Sequence, residues 1–142
     1  MNWLNVKVIE GGKAPERKSA GAAGLDCYSR GYVRAMPYST TKVPLGFAAE
    51  IPEGHVGLLV LRSSIAAGGR LAAPGGVGVI DADYRGEISA LVSTRDEAVD
   101  IGHGERIAQL VVVPVPYLVV RTVEKLTETE RGEGGFGSTG VR

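Results

Sequence analysis

Short apolar runs punctuated by glycine, proline and serine predict an all-β domain of sandwich or barrel type. Twenty-one glycines, dispersed among β-branched residues, point the same way, since they suit tight turns between strands. No apolar period of 3.6 residues persists long enough for a helical bundle.

The first predicted strand is Trp3–Ile9, with Val6 and Val8 on one face, followed by a glycine- and charge-rich loop over Glu10–Ala22. Further strands are predicted at Leu25–Tyr28, Val33–Ala35, Thr41–Val43, Phe47–Glu50 and Val56–Leu61. Only Ser63–Ala67 reads as helical, with Ser63 as N-cap and Gly68 and Gly69 closing it. Strands resume at Leu71–Ala72, Val77–Ile80, Ile88–Ser93, Ala98–Ile101, Arg106–Val113 and Leu118–Val123. After Lys125 apolar residues become scarce, and Arg131–Gly140 holds five glycines and one aromatic, Phe136. The chain thus divides into a barrel, residues 1–125, and a flexible glycine-rich tail of the same domain, residues 126–142.

A chain of 142 residues is a single domain with little spare stability, which association would supplement. Sixteen basic and sixteen acidic side chains cancel, so no whole-molecule field attracts nucleic acid or an anionic membrane, and neither is expected as a partner. A polyanion must be held by a local cluster. The sole cysteine, Cys27, excludes an internal disulfide and fits a reducing, cytoplasmic setting. Lying beside Leu25 in an apolar run, it reads as a small buried hydrophobe. No charged-then-apolar leader opens the chain, and the most apolar run, Leu110–Val120, is broken by Pro114 and Pro116, so a soluble protein is expected.

The stretch Gly78–Glu87, GVIDADYRGE, sets two acids, an aromatic and a cation between apolar strands, where a hairpin would present them. Asp81 and Asp83 share a face of an extended backbone, and either a cation or a turned side chain relieves their repulsion. Such a segment is either an exposed acidic turn or the holder of a catalytic base. Arg62, Ser63 and Ser64 open the short helix, where unpaired N–H groups favour an anion; they equally suit a capped helix with a surface arginine. Asp26 follows the strand-like Ala23–Leu25 and suits a turn. The tail is either a frayed terminus or a lid, for which Arg131 supplies charge and Phe136 a stacking surface. His55 and His103 have no cysteine or histidine partner nearby and read as loop residues.

Five segments, AGLDC (Ala23–Cys27), LRSSIAAGG (Leu61–Gly69), GVIDADYRGE, GERIAQLV (Gly104–Val111) and RGEGGFGSTG (Arg131–Gly140), resemble in content and order the five motifs of the trimeric dUTPases. The resemblance spans Ala23 to Gly140. It implies a jelly-roll-like distorted barrel and a homotrimer whose active sites each draw on three chains: the first, second and fourth motifs from one, the third from another, the tail from the last. It implies Mg²⁺-assisted in-line attack of water on the α-phosphorus of dUTP, giving dUMP and pyrophosphate, an activity that keeps uracil out of DNA and supplies dUMP for thymidylate synthesis. On this resemblance Asp81 is the general base and Tyr84 packs against the deoxyribose, excluding a 2′-hydroxyl. Gly75 to Val79 read uracil by main chain. Arg62, Ser63, Ser64 and Gln109 cradle the phosphates. Arg131 meets the γ-phosphate, Phe136 stacks on the base, and Gly137, Ser138 and Thr139 close over the phosphates. Asp26 touches, through water, a magnesium ion held mainly by the triphosphate.

Asp83 reads as structural, paired with Arg85 or Arg106. The chain departs from the pattern at Leu61 (usually proline), Gly68 (usually lysine), Gly75 (asparagine in some members) and Cys27 (usually a larger aliphatic). Two other functions fit parts of the sequence: a dCTP deaminase, since deaminases of similar fold share an RSS segment, and a nucleotide-sensing interaction protein.

Overall fold

The structure, a computed structural model, describes residues 3–140; the outermost residues of the predicted barrel and tail segments, 1–2 and 141–142, lie outside the described residues. Ten strands and one short helix run β1 (Asn5–Val8), β2 (Leu25–Tyr28), β3 (Val33–Ala35), β4 (Thr41–Pro44), β5 (Phe47–Glu50), β6 (His55–Leu61), α1 (Ser63–Ala67), β7 (Gly78–Ile80), β8 (Ser89–Val92), β9 (Val99–Ile101) and β10 (Arg106–Pro114). Among the described residues all strand–strand pairings are antiparallel: a four-stranded sheet in the order β2-β10-β6-β7, and the pairs β1-β5, β3-β9 and β4-β8. Their inner faces close on a core that includes Phe47, Leu45, Ile88, Ile101, Ile107 and Leu110. This is the jelly-roll-like all-β architecture expected.

Alternation explains the central strands. In β6, Gly57 and Leu59 face inward while their neighbours are only partly covered. In β10 the alternation is broken by a bulge: the register with β2 shifts between Arg106 and Ala108, and Ile107 and Ala108 are both fully buried. The extra residue places Gln109 opposite Asp26.

Four expectations need correction. Ser63 is the first helical residue, not the cap; Arg62 occupies the cap position with extended backbone and no side-chain cap. Leu71–Ala72 supplies one isolated bridge, Ala72 to Ser93, because turns on either side leave it too short for a ladder. The stretch around Asp81 is not a hairpin: β7 pairs with β6 and β8 pairs with β4, so residues 81–88 carry the chain from one sheet to another. The fourth correction is Leu118–Val123, which is no strand. After Val115 N–H donates to Gly54 O (2.8 Å), this segment runs along no neighbour and leaves its apolar side chains exposed.

Candidate active site

Two groups of predicted residues assemble in this fold, and they assemble separately. The first surrounds Asp26 on β2. Arg62 leaves the end of β6, where its N–H donates to Ile107 O (3.0 Å), and its Nε stands 3.5 Å from Asp26 Oδ1. Arg106, re-aimed beside the bulge, brings Nη1 to 3.1 Å from Asp26 Oδ2. The Asp26 side chain is only 15% exposed, so both pairs are partly shielded from solvent. Gln109, opposite Asp26, lays its carboxamide over Gly24; a Cβ on Gly24 would fall 2.3 Å from Gln109 Oε1. That contact gives the glycine of AGLDC a physical reason. Ser63 and Ser64 follow Arg62 on an exposed face, at the turn whose N–H groups have no acceptor within the helix.

The second group flanks β7, the edge strand of its sheet. An edge strand leaves alternate N–H and C=O groups unpaired, and these face a cleft between β7 and β8. One depression of about 280 Å³ is lined by Gly75, Gly76, Val79, Ser89 and Leu91. A neighbouring one of about 270 Å³ is lined by Lys42, Val79, Asp81, Tyr84 and Glu87. The turn after β7 is closed by Tyr84 N–H donating to Asp81 O (3.2 Å), which fixes the backbone on both sides of the acid. Tyr84 Oη donates to Glu87 O (3.0 Å).

The separation of the groups follows from the register. Ile80 is opposite Gly57, so Asp81 is level with the start of β6, while Arg62 lies beyond its end. At ~3.3 Å per residue this is roughly 20 Å along the sheet. One water cannot span it.

The tail joins neither group. Gly134, Ser138 and Gly140 N–H groups donate to Arg131, Gly135 and Gly137 carbonyls, a chain of local turns. Phe136 is fully exposed and holds φ +51, a left-handed conformation unfavourable for an aromatic residue. Arg131, Gly137, Ser138 and Thr139 are exposed beside it.

Within the chain Asp83 pairs with neither predicted arginine: Arg106 is taken by Asp26, and Arg85 lies 3.8 Å from Glu50 and donates to Ala82 O (2.7 Å). Four neighbours of the site are not predicted from the sequence. Arg106 was named only as a partner for Asp83; Lys42 carries no signal beyond being the polar residue of an alternating strand. Arg30 and Glu87 form a two-pronged ion pair, Nε to Oε1 2.6 Å and Nη2 to Oε2 2.9 Å, across 57 positions, which no local pattern reveals. Arg30 holds the Glu87 carboxyl below the usual carboxylate range, helped by the Gly46 N–H. Burial pushes the Cys27 thiol up to about 12, as suits a packing residue.

For a metal, the donor set is sparse. Among the described residues no three His, Cys, Asp or Glu side chains converge. Asp26 alone, flanked by two guanidiniums, is no cage for a dication; it fits an ion that arrives with its own anionic oxygens and is met through water.

An all-β barrel with an arginine- and serine-lined helix start and a carboxylate on a fixed turn beside an edge strand has the makeup of a nucleotide hydrolase. The comparisons with known proteins are specific. A sequence model of the dUTPase family matches residues 10–140, and the chain belongs to that family. The deoxyuridine 5′-triphosphate nucleotidohydrolase of Syntrophotalea carbinolica is 44% identical over 129 residues, covering 89% of this chain and 88% of the relative. That of Cutibacterium acnes is 43% identical over 129 residues, 89% of this chain and 85% of the relative. Among solved structures, the Staphylococcus bacteriophage 80alpha dUTPase with dUPNHPP superposes with a TM-score of 0.92 at 32% identity, over 99% of this chain and 100% of that one. A phage phi11 dUTPase mutant, described as coordinating a structural Mg(II) ion, gives 0.81 at 28% identity, over 87% and 98%. The activity of this chain is accordingly hydrolysis of dUTP to dUMP, that of a dUTP diphosphatase.

Proposed function

We propose that the chain hydrolyses dUTP as a homotrimer in which the phosphate group of residues from one subunit faces the Asp81 turn of another. The observation that carries this reading is the roughly 20 Å along β6 between Arg62 and Asp81. Both are needed within a few ångströms of one phosphorus, and only a second copy can bring them together.

In the assembled site Arg62, the serine hydroxyls and amides of Ser63 and Ser64, and Gln109 hold the phosphate oxygens and fix the α-phosphorus. Asp81, on its closed turn, takes a proton from the attacking water and aligns it opposite the pyrophosphate leaving group. Uracil enters the cleft between β7 and β8. There the main chain of Gly75 to Val79 offers it donors and acceptors, and cytosine, with one pair exchanged, would leave groups unmatched. Tyr84 lies against the deoxyribose. The tail closes last: Phe136 stacks on the base, Arg131 meets the γ-phosphate, and Gly137, Ser138 and Thr139 cover the terminal oxygens. Mg²⁺ carried by the triphosphate would neutralise its charge, and Asp26 is the residue that would meet it through water. The division into a barrel to residue 125 and a lid from 126 to 142 follows.

Mixed assemblies test this. Asp81→Asn and Arg62→Met each lower kcat by about 10²–10⁴-fold on their own. Refolded together, the two inactive chains form some sites with an intact Arg62 from one copy and an intact Asp81 from the other, and part of the activity returns. No recovery from a mixture shown to be heterotrimeric would overturn the sharing of sites.

A further inference from the structure

Tyr84 is held by contacts that have nothing to do with the nucleotide. Its ring folds back over Gly86, where a Cβ would fall 2.4 Å from Oη and 2.6 Å from Cζ. Its hydroxyl ends on Glu87 O at 3.0 Å. Glu87 is in turn anchored: both carboxylate oxygens receive Arg30, at 2.6 and 2.9 Å, and Oε1 also accepts the Gly46 N–H at 3.1 Å. Arg30 is fixed by its own N–H to Pro44 O (2.8 Å), and Gly46 forms the β4–β5 turn at φ +77. The pair therefore ties the far end of the crossover to the loop after β2 and to the β4–β5 turn, and Tyr84 rests on the tied end. A planar two-pronged guanidinium–carboxylate contact fixes direction as well as distance.

We propose that Arg30 and Glu87, with Gly86, are positioning residues for sugar discrimination: they hold the Tyr84 ring at the height that admits a deoxyribose and excludes a ribose. Neither Arg30 nor the Glu87 carboxylate touches substrate. A ring free to swing by an ångström would make room for a 2′-hydroxyl, whereas the phosphate cradle and Asp81 would be left in place. The inference rests on the reading of Tyr84 as the residue against the sugar.

The test is kcat and KM for dUTP and for UTP, with thermal melts, in Glu87→Gln, Arg30→Met, the double variant and Gly86→Ala. The expected result is a fall of about 10-fold in the dUTP/UTP ratio of kcat/KM for each single variant, with the double no worse than either, as for two halves of one device. Gly86→Ala is expected to do the same while the Arg30–Glu87 pair remains, because its methyl displaces the ring directly. A purely structural role would lower the melting temperature and both activities alike; an unchanged ratio in Glu87→Gln and Gly86→Ala overturns the proposal. Tyr84→Ala separates the two ideas. If it leaves the ratio intact, the reading of Tyr84 itself fails. If it collapses the ratio while the other variants do not, only the clamp is lost.

Discussion

Arg106 reaches Asp26 across the β2–β10 ladder, Nη1 to Oδ2 3.1 Å, so the acid proposed to meet a substrate-borne metal is already compensated by a protein cation. Arg62 completes the compensation at 3.5 Å. On the proposed reading the carboxylate has two uses: it orients two guanidiniums without substrate and would meet the metal's waters with it. Asp26→Asn removes both. We expect the KM for magnesium-bound dUTP to rise about 10-fold, in line with loss of one charged partner, and the Mg²⁺ dependence to flatten. Pyrophosphate release measured across a magnesium titration checks this, and an Asp26→Asn enzyme with wild-type metal dependence would remove Asp26 from the metal's surroundings.

That pairing also shows where sequence reading stops. Local rules were enough for Phe47–Glu50, for α1 and for most of β6 and β10, because alternation and a closing Gly68-Gly69 act within a few residues. The same rules misread Gly78–Glu87 as a hairpin. Two β-branched runs joined by a polar turn look alike whether they pair with each other or, as here, with β6 and β4. Asp81 and Tyr84 stand out by their chemistry, yet Arg30, in the loop between β2 and β3, and Lys42, on β4, come to their neighbourhood from elsewhere in the chain, and a bulge invisible in the pattern sets Gln109 opposite Asp26.

Phe136 carries a left-handed φ of +51 with its ring fully in solvent, a cost with no compensation inside the chain. Stacking on a base, as proposed, would supply one. Base–aromatic stacking is worth about 1–3 kcal/mol, so Phe136→Ala is expected to lower kcat/KM for dUTP by roughly 5- to 150-fold without changing the melting temperature. Phe136→Trp should retain activity. Steady-state kinetics on the three proteins decides, and full activity in the alanine variant would reduce the tail to a frayed end.

Acid stability should have a resolved limb from two carboxylates. Glu16 receives Lys18, Tyr28 and Lys13, which hold its carboxyl at about 2 against an ordinary 4.5, while Arg30 lowers that of Glu87. Both pKa values are depressed in the folded state, so their contribution is complete above pH 4.5 and is lost as pH falls toward 2. Lys13 and Lys18 are shifted upward, so their share persists to about pH 10 and fades above it. Melting curves of wild type, Glu16→Gln and Glu87→Gln from pH 6 to 2 should show a shallower limb in each variant. Parallel limbs would mean that these contacts are absent in solution.

The segment after Pro114 leaves a run of apolar side chains in solvent. Tyr117 is 93% and Val120 90% exposed, and Leu118 and Val119 lie between them, none with a strand partner among the described residues. Covering four such side chains is worth on the order of 6–12 kcal/mol at 1.5–3 each. A monomer forgoes all of it, and a second copy is the occupant that the proposed shared site calls for. A segment with no strand partner among the described residues would gain both backbone pairing and burial from another copy. We therefore expect Leu118→Asp with Val120→Asp to convert a trimer into monomers by analytical ultracentrifugation, and dUTP hydrolysis to disappear with it, although neither residue belongs to the site. The barrel core, independent of this segment, should keep its β-sheet circular dichroism. A double variant that stays trimeric and active would show that the arm is not the bond between subunits, and a wild-type chain that is active as a monomer would dissolve the case for shared sites altogether.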